Sequence, residues 1–429
     1  MANMICLSSL GEQDPSELTV DRISGLPWII LDIILGKLSI NDAARTSILA
    51  KDWRYKWLSI SKFVLNTEGL NWDTVSSIIN RFLLQHTCSI KIFSLRTVSG
   101  AFHYPDLYHW IKYLSRQHVE EISLTEVGIR RFAIPSSMFS FVKLKSLILK
   151  GCAVRVPASF KRFNFLCEIT LDSVSIDENS FDRLILGCPR LRLLHLERVV
   201  GIQHLRIRSP SLRVLNVDSG FYQYIVIEDS PCLATIAIEA SFLHQEGAIL
   251  NWSIIRSLSA LNSLRNLCLS GQFVKLLAAY NVVEYIPLRN NTMRHLFLYS
   301  VRFEDIKVFR VCLSLLSSSP NINHFRFAIE SAKGPRLITA FLKENRGRFS
   351  FPKLESMKVG CPVVNGMGCT VNFIEFLCAH SPNLKFLSIE KIGGRTMNVT
   401  RVSKMLSRFR KSCPRATVVY SFNGRQSSL

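Results

Sequence analysis

The residues able to do covalent or metal chemistry are present in this chain but are not arranged for it. Ten histidines are scattered along the sequence. His103, His109 and His118 cluster only loosely, which fits surface or packing roles, and no H-E-x-x-H or other metal-ligand spacing appears. None of the 12 cysteines stands in a C-x-x-C pair, the spacing that presents two thiolates to zinc. There is no G-x-S-x-G, no phosphate-binding P-loop and no G-x-G-x-x-G, and Gly366-Met-Gly368 reads as a turn. No catalytic residue, metal or cofactor is therefore expected, and the chain should act by binding.

The elements that position its binding groups follow from a repeat. Large apolar residues recur as L-x-x-L-x-L, most clearly at Leu144–Leu149, Leu191–Leu196, Leu264–Leu269 and Leu384–Ile389. Weaker copies centre on Phe93, Ile122, Ile169, Leu215, Ile236, Leu296, Phe325 and Met357. Twelve copies at intervals of 21–32 residues match the leucine-rich-repeat period. Each L-x-L is a short strand whose alternate residues share a face, and stacked copies bury one continuous core. The position three residues past the last leucine, Asn or Cys in regular repeats, is Cys152 once and Val127, Val174, Val199, Val301 and Ile392 elsewhere. The solenoid should be irregular. Between strands, Ser175-Ile-Asp-Glu178 reads as a capping box ahead of Phe181, Leu184 and Ile185, with Gly187 and Pro189 ending that helix. The punctuation G-C-P-R-L at 187–191 returns as S-P-S-L, S-P-C-L, S-P-N-I and S-P-N-L at 209, 230, 319 and 381. Proline there breaks the convex segment before each strand.

Length and charge agree with this architecture. A chain of 429 residues exceeds what one compact core supports, while 48% hydrophobic and 20% charged residues exclude general disorder. The net charge is +21, distributed unevenly: residues 1–100 carry ten basic and nine acidic residues, and residues 330–429 carry 17 and five. A basic balance raises the prior for nucleic acid or another anionic partner without establishing one. No run of 18 apolar residues and no secretory leader is seen, so an intracellular protein of nucleus or cytoplasm with reduced thiols is expected. On that reading the glycosylation-like triplets at Asn251, Asn290 and Asn398 are chance matches.

Residues 21–60 depart from the repeat. Pro27 suits a first helical turn, and Trp28, Leu31, Leu35 and Leu38 recur at helical spacing, widened by Ile30, Ile33 and Ile34. Asn41 or Asp42 can cap a second helix, and Trp53 and Trp57 share one face of a third. So much apolar surface in forty residues is buried either by a partner or by the open end of the solenoid, and patterning leaves both open.

The run D-R-I-S-G-L-P-W through W-R-Y-K-W resembles a plant F-box. Leu26-Pro27, Ile34-Leu35 with Leu38, Asp42-Ala43-Ala44-Arg45-Thr46-Ser47 and Trp53-Arg54-Tyr55-Lys56-Trp57 carry the match, with Ala50 where the family commonly has Ser. With the repeats it is similar to plant F-box/FBD/LRR proteins, the FBD-like part falling at about 350–392. The fold this implies is α/β: a small N-terminal three-helix F-box, then an irregular leucine-rich-repeat solenoid with parallel strands on the concave face and helices and loops on the convex face. The expected divisions are a disordered 1–20, the F-box at 21–60, a connecting helical segment at 61–88, the solenoid at 89–395, and a terminal cap helix and strand with tail at 396–429. The resemblance implies a substrate receptor of a cullin–RING ubiquitin ligase. Leu26, Pro27, Ile30, Ile34, Leu35, Leu38, Arg45, Leu49, Trp53 and Trp57 would meet a Skp-type adaptor, and through it cullin and the RING protein.

A target would bind the residues flanking the inner leucines. Early repeats place Glu121, Glu168, Asp172, Glu197, Asp218 and Glu239 there, and later ones His295, Phe297, Tyr299, His324, Arg326 and Lys358. This suggests an acidic stretch followed by an aromatic and basic one, against the alternative of merely solvated strand faces. The stretch 399–413 reads as a basic amphipathic helix with Val402, Met405, Leu406 and Phe409 inward and Lys404, Arg408, Lys411 and Arg415 outward, a terminal cap or an anion-binding or nuclear-import element. Competing functions are a non-degradative scaffold and, against the acidic floor, a nucleic-acid or phosphate-binding repeat protein. No membrane is expected as a partner.

Overall fold

The computed structural model describes residues 23–98, 104–128, 131–218, 222–240, 253–279, 290–303, 305–331, 336–345, 347–361, 368–391, 399–422 and 425–427. The expected disordered 1–20, Asp21, His103, Asn251, Gly366, Ile392 and Asn398 lie outside them.

The chain opens with helices α1 (Trp28–Leu35) and α2 (Ile40–Arg45). Ser39 caps α2 by accepting from the Asp42 N–H. The expected third helix is instead three short 3₁₀ turns at Thr46–Ile48, Lys51–Trp53 and Lys56–Ser59. Extended backbone at Ala50 and the non-helical angles of Tyr55 (φ −121°, ψ 0°) interrupt helical hydrogen bonding there, so no α-helix propagates. The segment 61–88 is not purely helical: β1 (Lys62–Asn66) precedes α3 (Trp72–Gln85) and begins the sheet one strand earlier than the leucine pattern indicates. Then come β2 (Ile92–Val98), α4 (Tyr104–Leu114), β3 (Glu121–Val127), β4 (Phe132–Ala133), β5 (Ser146–Lys150), β6 (Cys152–Val154), β7 (Glu168–Asp172), β8 (Ser175–Ile176) and α5 (Glu178–Leu186). The middle comprises β9 (Leu193–Glu197), β10 (His204–Arg208), β11 (Val214–Asp218), β12 (Tyr224–Glu228), β13 (Thr235–Glu239), α6 (Ser253–Ala260), β14 (Asn266–Ser270) and α7 (Gly271–Ala279). The last part holds β15 (His295–Arg302), α8 (Ile306–Ser317), β16 (His324–Ser331), α9 (Arg336–Glu344), β17 (Ser356–Cys361), α10 (Gly368–Ala379), β18 (Phe386–Lys391), α11 (Val399–Ser412), β19 (Thr417–Phe422) and β20 (Arg425–Ser427).

One sheet organises the molecule. Its order is β1-β2-β3-β5-β7-β9-β11-β13-β14-β15-β16-β17-β18-β19-β20, parallel except for the final β19–β20 pair. Each repeat centre read from the sequence falls on one register row: Phe93 pairs Ile122, which pairs Leu147, and so on through Ile169, Leu194, Leu215, Ile236, Leu267, Leu296, Phe325 and Met357 to Leu387. Phe63 and Val418 extend the row at its ends. Alternation then buries these residues and their i+2 neighbours, while the intervening side chains face out. The turn position is an apolar ladder in place of an asparagine one, with Cys152, Val174, Val199 and Val301 all buried. Two small parallel sheets, β4-β6-β8 and β10-β12, brace the other side in repeats where a helix is short or missing. The core is richest in rings toward the C-terminal end, where Phe303, Phe309, Phe327 and Phe373 meet edge-on or tilted at 4.9–5.5 Å.

Candidate functional site

Two surfaces carry groups that burial leaves available. The first is on the N-terminal helices. α1 is apolar apart from Asp32, and packing covers only part of it: Leu31 and Leu35 are buried, while Trp28, Ile29, Ile30, Ile33 and Ile34 are exposed. Leu38, Ile48, Leu49 and Tyr55 continue the exposed set, Leu49 at 70% and Ile48 at 84% exposure. Of the residues expected to meet an adaptor, Pro27, Ile30, Ile34, Leu38, Arg45 and Leu49 lie at this surface, and Leu26 is half-buried. Leu35, Trp53 and Trp57 do not: their side chains are buried in the module and against the first repeat. Trp57 tilts on Phe82 of α3 at 6.4 Å, and the Trp53 indole N–H donates to Ser24 Oγ. Asp32 fastens α1 to the start of β1, accepting from the Ser61 N–H at 2.7 Å and hydroxyl at 2.6 Å. Capping the solenoid and presenting an apolar face therefore coexist on opposite sides of one module. Ile29, Ile33 and Ile48 join this surface although they were not among the expected adaptor contacts, because spacing shows that a residue is apolar but not which side the solenoid covers.

The second surface is the outward face of the long sheet. Asp172, Glu197, Asp218 and Glu239 occupy one register row at the ends of β7, β9, β11 and β13. The acidic character of this row is partly cancelled locally. Asp172 is buried and bridged by Arg198 at 2.5 Å and Lys150 at 3.4 Å, and Arg198 also pairs with Glu197. His195 Nε2 lies 3.5 Å from Glu197. Arg198 reaches both carboxylates because its backbone turns back with φ +49°, as Ser173 does one repeat earlier. Glu121 and Glu168 are exposed on the opposite edge of the same face.

The later residues form one contiguous patch. His295 and His324 are register partners with rings edge-on at 4.6 Å. Burial, then His324, push His295 below the usual imidazole range. Arg326 lies over the Phe297 ring at 4.8 Å, and Phe297 packs on Tyr299 at 5.5 Å. Burial, then the carboxylate of Glu239, raise the Tyr299 hydroxyl above its ordinary range, so it stays protonated and donates to Glu239. That bond joins the acidic row to the aromatic patch. Lys358 is neutralised by Glu390 at 3.0 Å, which leaves Arg326 as the more available cation. On α11, Arg408 is bound by Glu375 of α10, while Lys404 and Lys411 face solvent, as does Arg415 in the turn past the helix end. No three His, Cys, Asp or Glu side chains converge as metal ligands among the described residues.

Comparison with known proteins matches this architecture. Residues 107–324 fit the family model described as FBD-associated F-box protein At5g56370, LRR repeats. The chain is 29% identical over 416 residues to F-box/FBD/LRR-repeat protein At1g13570 of Arabidopsis thaliana, covering 93% of this chain and 98% of that protein. It is 25% identical to F-box/LRR-repeat protein 13 of the same plant, over 86% and 89% of the two chains. It is 26% identical to the putative F-box/FBD/LRR-repeat protein At1g66290, over 86% and 87%. An F-box module on a leucine-rich-repeat solenoid is the class that fold and surfaces define, and the chain belongs to the FBD-associated F-box family of plant F-box/FBD/LRR-repeat proteins. Among the described residues no helix is long and apolar enough to cross a membrane.

Proposed function

We propose that the chain is the target-recognition subunit of an SCF-type cullin–RING ubiquitin ligase, contributing position rather than catalysis. The exposed apolar face of α1 and its neighbours carries this reading. A soluble module gains nothing by leaving Ile29, Ile30, Ile33, Ile34, Ile48 and Leu49 in water, and a Skp-type adaptor is the partner the family resemblance supplies for them. Cullin and the RING protein follow through that adaptor. The target lies on the strand face, across Glu168, Asp172, Glu197, Asp218 and Glu239 toward His295, Phe297, Tyr299, His324, Arg326 and Lys358. Arg326 and the two neighbouring rings are its hot-spot candidates, since aromatic and Arg anchors dominate interface energetics. Tethering a target there raises the effective concentration of its lysines near the ubiquitin-charged enzyme.

The test is co-expression with a Skp-type adaptor and pull-down, comparing the native chain with Ile30→Glu/Ile34→Glu. Both side chains are exposed, so the variant should melt like the native chain, while burying two carboxylates costs the complex at least about 100-fold in affinity. Adaptor capture that survives the substitutions, or is absent from the native chain, removes the ligase reading. A scaffold that recruits the adaptor without target turnover would pass this test, and is separated by cullin recruitment and target half-life.

A further inference from the structure

Between β15 and β18 the strand face carries cationic and imidazole groups that folding leaves unsatisfied. His324 and Arg326 alternate with the buried Phe325 and Phe327, so both stand on the outward face of β16, about 7 Å apart. Register places His295 and Phe297 beside them on β15, and Ser356 and Lys358 on β17. The contacts agree with that shared face: the two imidazoles meet edge-on at 4.6 Å, and the Arg326 guanidinium lies 4.8 Å from the Phe297 ring centroid. His295, His324 and Arg326 are exposed, and none of the three makes a side-chain hydrogen bond or ion pair among the described residues. Carboxylates stand on either side in the sheet but are engaged elsewhere. Glu239 of β13 accepts from Tyr299, and Glu390 of β18 is bridged to Lys358 at 3.0 Å.

The chemistry of Arg326 is specific. Stacking on Phe297 covers one face of the guanidinium and fixes its plane, while its N–H edge is free to grip an oxyanion through two parallel hydrogen bonds. Next to it runs an apolar step. His324, Ser356 and Phe386 follow one another on a single register row across β16, β17 and β18. Phe386 is 39% exposed although it is a large apolar side chain. Ser356 is short, so the row dips between two rings whose strands lie about 10 Å apart. An apolar side chain seated over Ser356 would touch both rings, roughly 8 Å from Arg326.

We infer that the β15–β18 face receives a protein segment through one Asp or Glu carboxylate, held by Arg326 beside His324, with an apolar side chain of the same segment seated over Ser356 against Phe386. This rests on the proposed target face and names the chemistry of its anchor. The flanking carboxylates limit the charge of the occupant. Glu239 and Glu390 leave room for an isolated carboxylate, whereas nucleic acid, a continuous anion, would be repelled on both sides.

The test selects displayed random peptides of about 12 residues, about 40 Å when extended, on the full chain. Fluorescence anisotropy then measures the enriched sequence. Enriched peptides should share an Asp or Glu close to an apolar residue. Changing that acid to its amide in the peptide, or Arg326→Gln in the protein, should each cost about tenfold or more in affinity. Both changes together should cost little beyond either alone, because they remove the same contact. Arg326→Lys, which keeps the charge and loses the fork, should restore only part of the binding. Phe386→Ala should weaken it about fivefold or more. A selection without binders, binders lacking a fixed acidic position, or additive losses from the two changes overturns the proposal. So does an Arg326→Gln variant that melts lower yet binds the peptide unchanged, which confines Arg326 to covering Phe297. Single-stranded DNA of about 20 nucleotides is the competing probe. DNA bound more tightly than the peptide and released by Arg326→Gln replaces the protein occupant with nucleic acid. The adaptor pull-down reads the receptor function independently, so failure of one reading is distinguishable from failure of the other.

Discussion

At the scale of single residues, several groups that resemble functional signals are parts of the frame. Asn290 opens a glycosylation-like triplet, yet it is buried and saturated. Its amide donates to the carbonyls of Leu258 at 3.0 Å and Leu261 at 2.9 Å, and its Oδ1 accepts from the backbone N–H of Thr292 and Met293. Asn290→Leu should therefore destabilise the chain by about 2–5 kcal/mol, because several buried backbone groups lose partners at once, and denaturant melting reads this directly. Gly271 begins α7 with ordinary backbone angles, but a Cβ there would lie 2.1 Å from the Ser300 carbonyl oxygen. Gly271→Ala should cost about 1–3 kcal/mol through displacement of β15, seen as a lowered melting temperature. The serines of the S-P punctuation, Ser209, Ser230, Ser319 and Ser381, are all buried. Ser230 accepts from the Ser209 N–H at 3.3 Å and donates to the Glu228 carbonyl at 2.9 Å, while Ser381 donates to Leu377. The proline half of that motif was legible as a helix breaker; the serine hydroxyls share no single role, since those of Ser209 and Ser319 are buried without a hydrogen-bond partner among the described residues.

At the scale of elements, the strands were legible and the convex segments only in part. The capping-box reading of Ser175 is corrected: Ser175 belongs to β8, and the N-cap of α5 is Asp177, which accepts from the Ser180 N–H at 2.9 Å and hydroxyl at 2.7 Å. Those bonds, the hydroxyl's foremost, hold the Asp177 carboxyl below the usual carboxylate range. A depressed folded-state pKa contributes stability that is present above about pH 4 and is lost as pH falls through the lower folded value. Asp177→Ala should thus cost about 1 kcal/mol near neutrality, and its melting-temperature deficit against the native chain should shrink in acid. A deficit independent of pH would show that the cap's charge contributes nothing. Along α11, Val402, Met405, Leu406 and Phe409 are buried, and β19 follows it into the sheet beside β18. The 3₁₀ turns in place of a third N-terminal helix escaped notice because Trp53 and Trp57 have helical spacing. Both are buried, but by successive short turns rather than one helix face.

At the scale of the whole molecule, the N-terminal module and the solenoid share one core, running from Leu31 and Trp57 through Phe82 and Phe63 into the repeats. Trp57→Ala should therefore destabilise both, by about 3–5 kcal/mol, and expose backbone amides of β1 and β2 to faster hydrogen exchange along with those of α1. Exchange faster in α1 alone would mean that the module is an independent domain. The +21 net charge does not act as a uniform field. Carboxylates line one register row at the ends of β7, β9, β11 and β13, while Lys404 and Lys411 of α11 and Arg415 just past it are exposed.

The sequence by itself determined the repeat and its register. A hydrophobic period that recurs every 21–32 residues can bury its apolar positions in essentially one way, by stacking parallel strands. It also determined which residue types face outward, since alternation along a strand is a local property. Tertiary structure decided what those residues meet. It turned Leu35, Trp53 and Trp57 inward and left Ile29, Ile33 and Ile48 out, because only packing against the first repeat distinguishes two apolar faces of one helix. It paired Asp172 with Arg198 and Lys150, because register across strands joins residues that chain spacing keeps 22 and 26 positions apart.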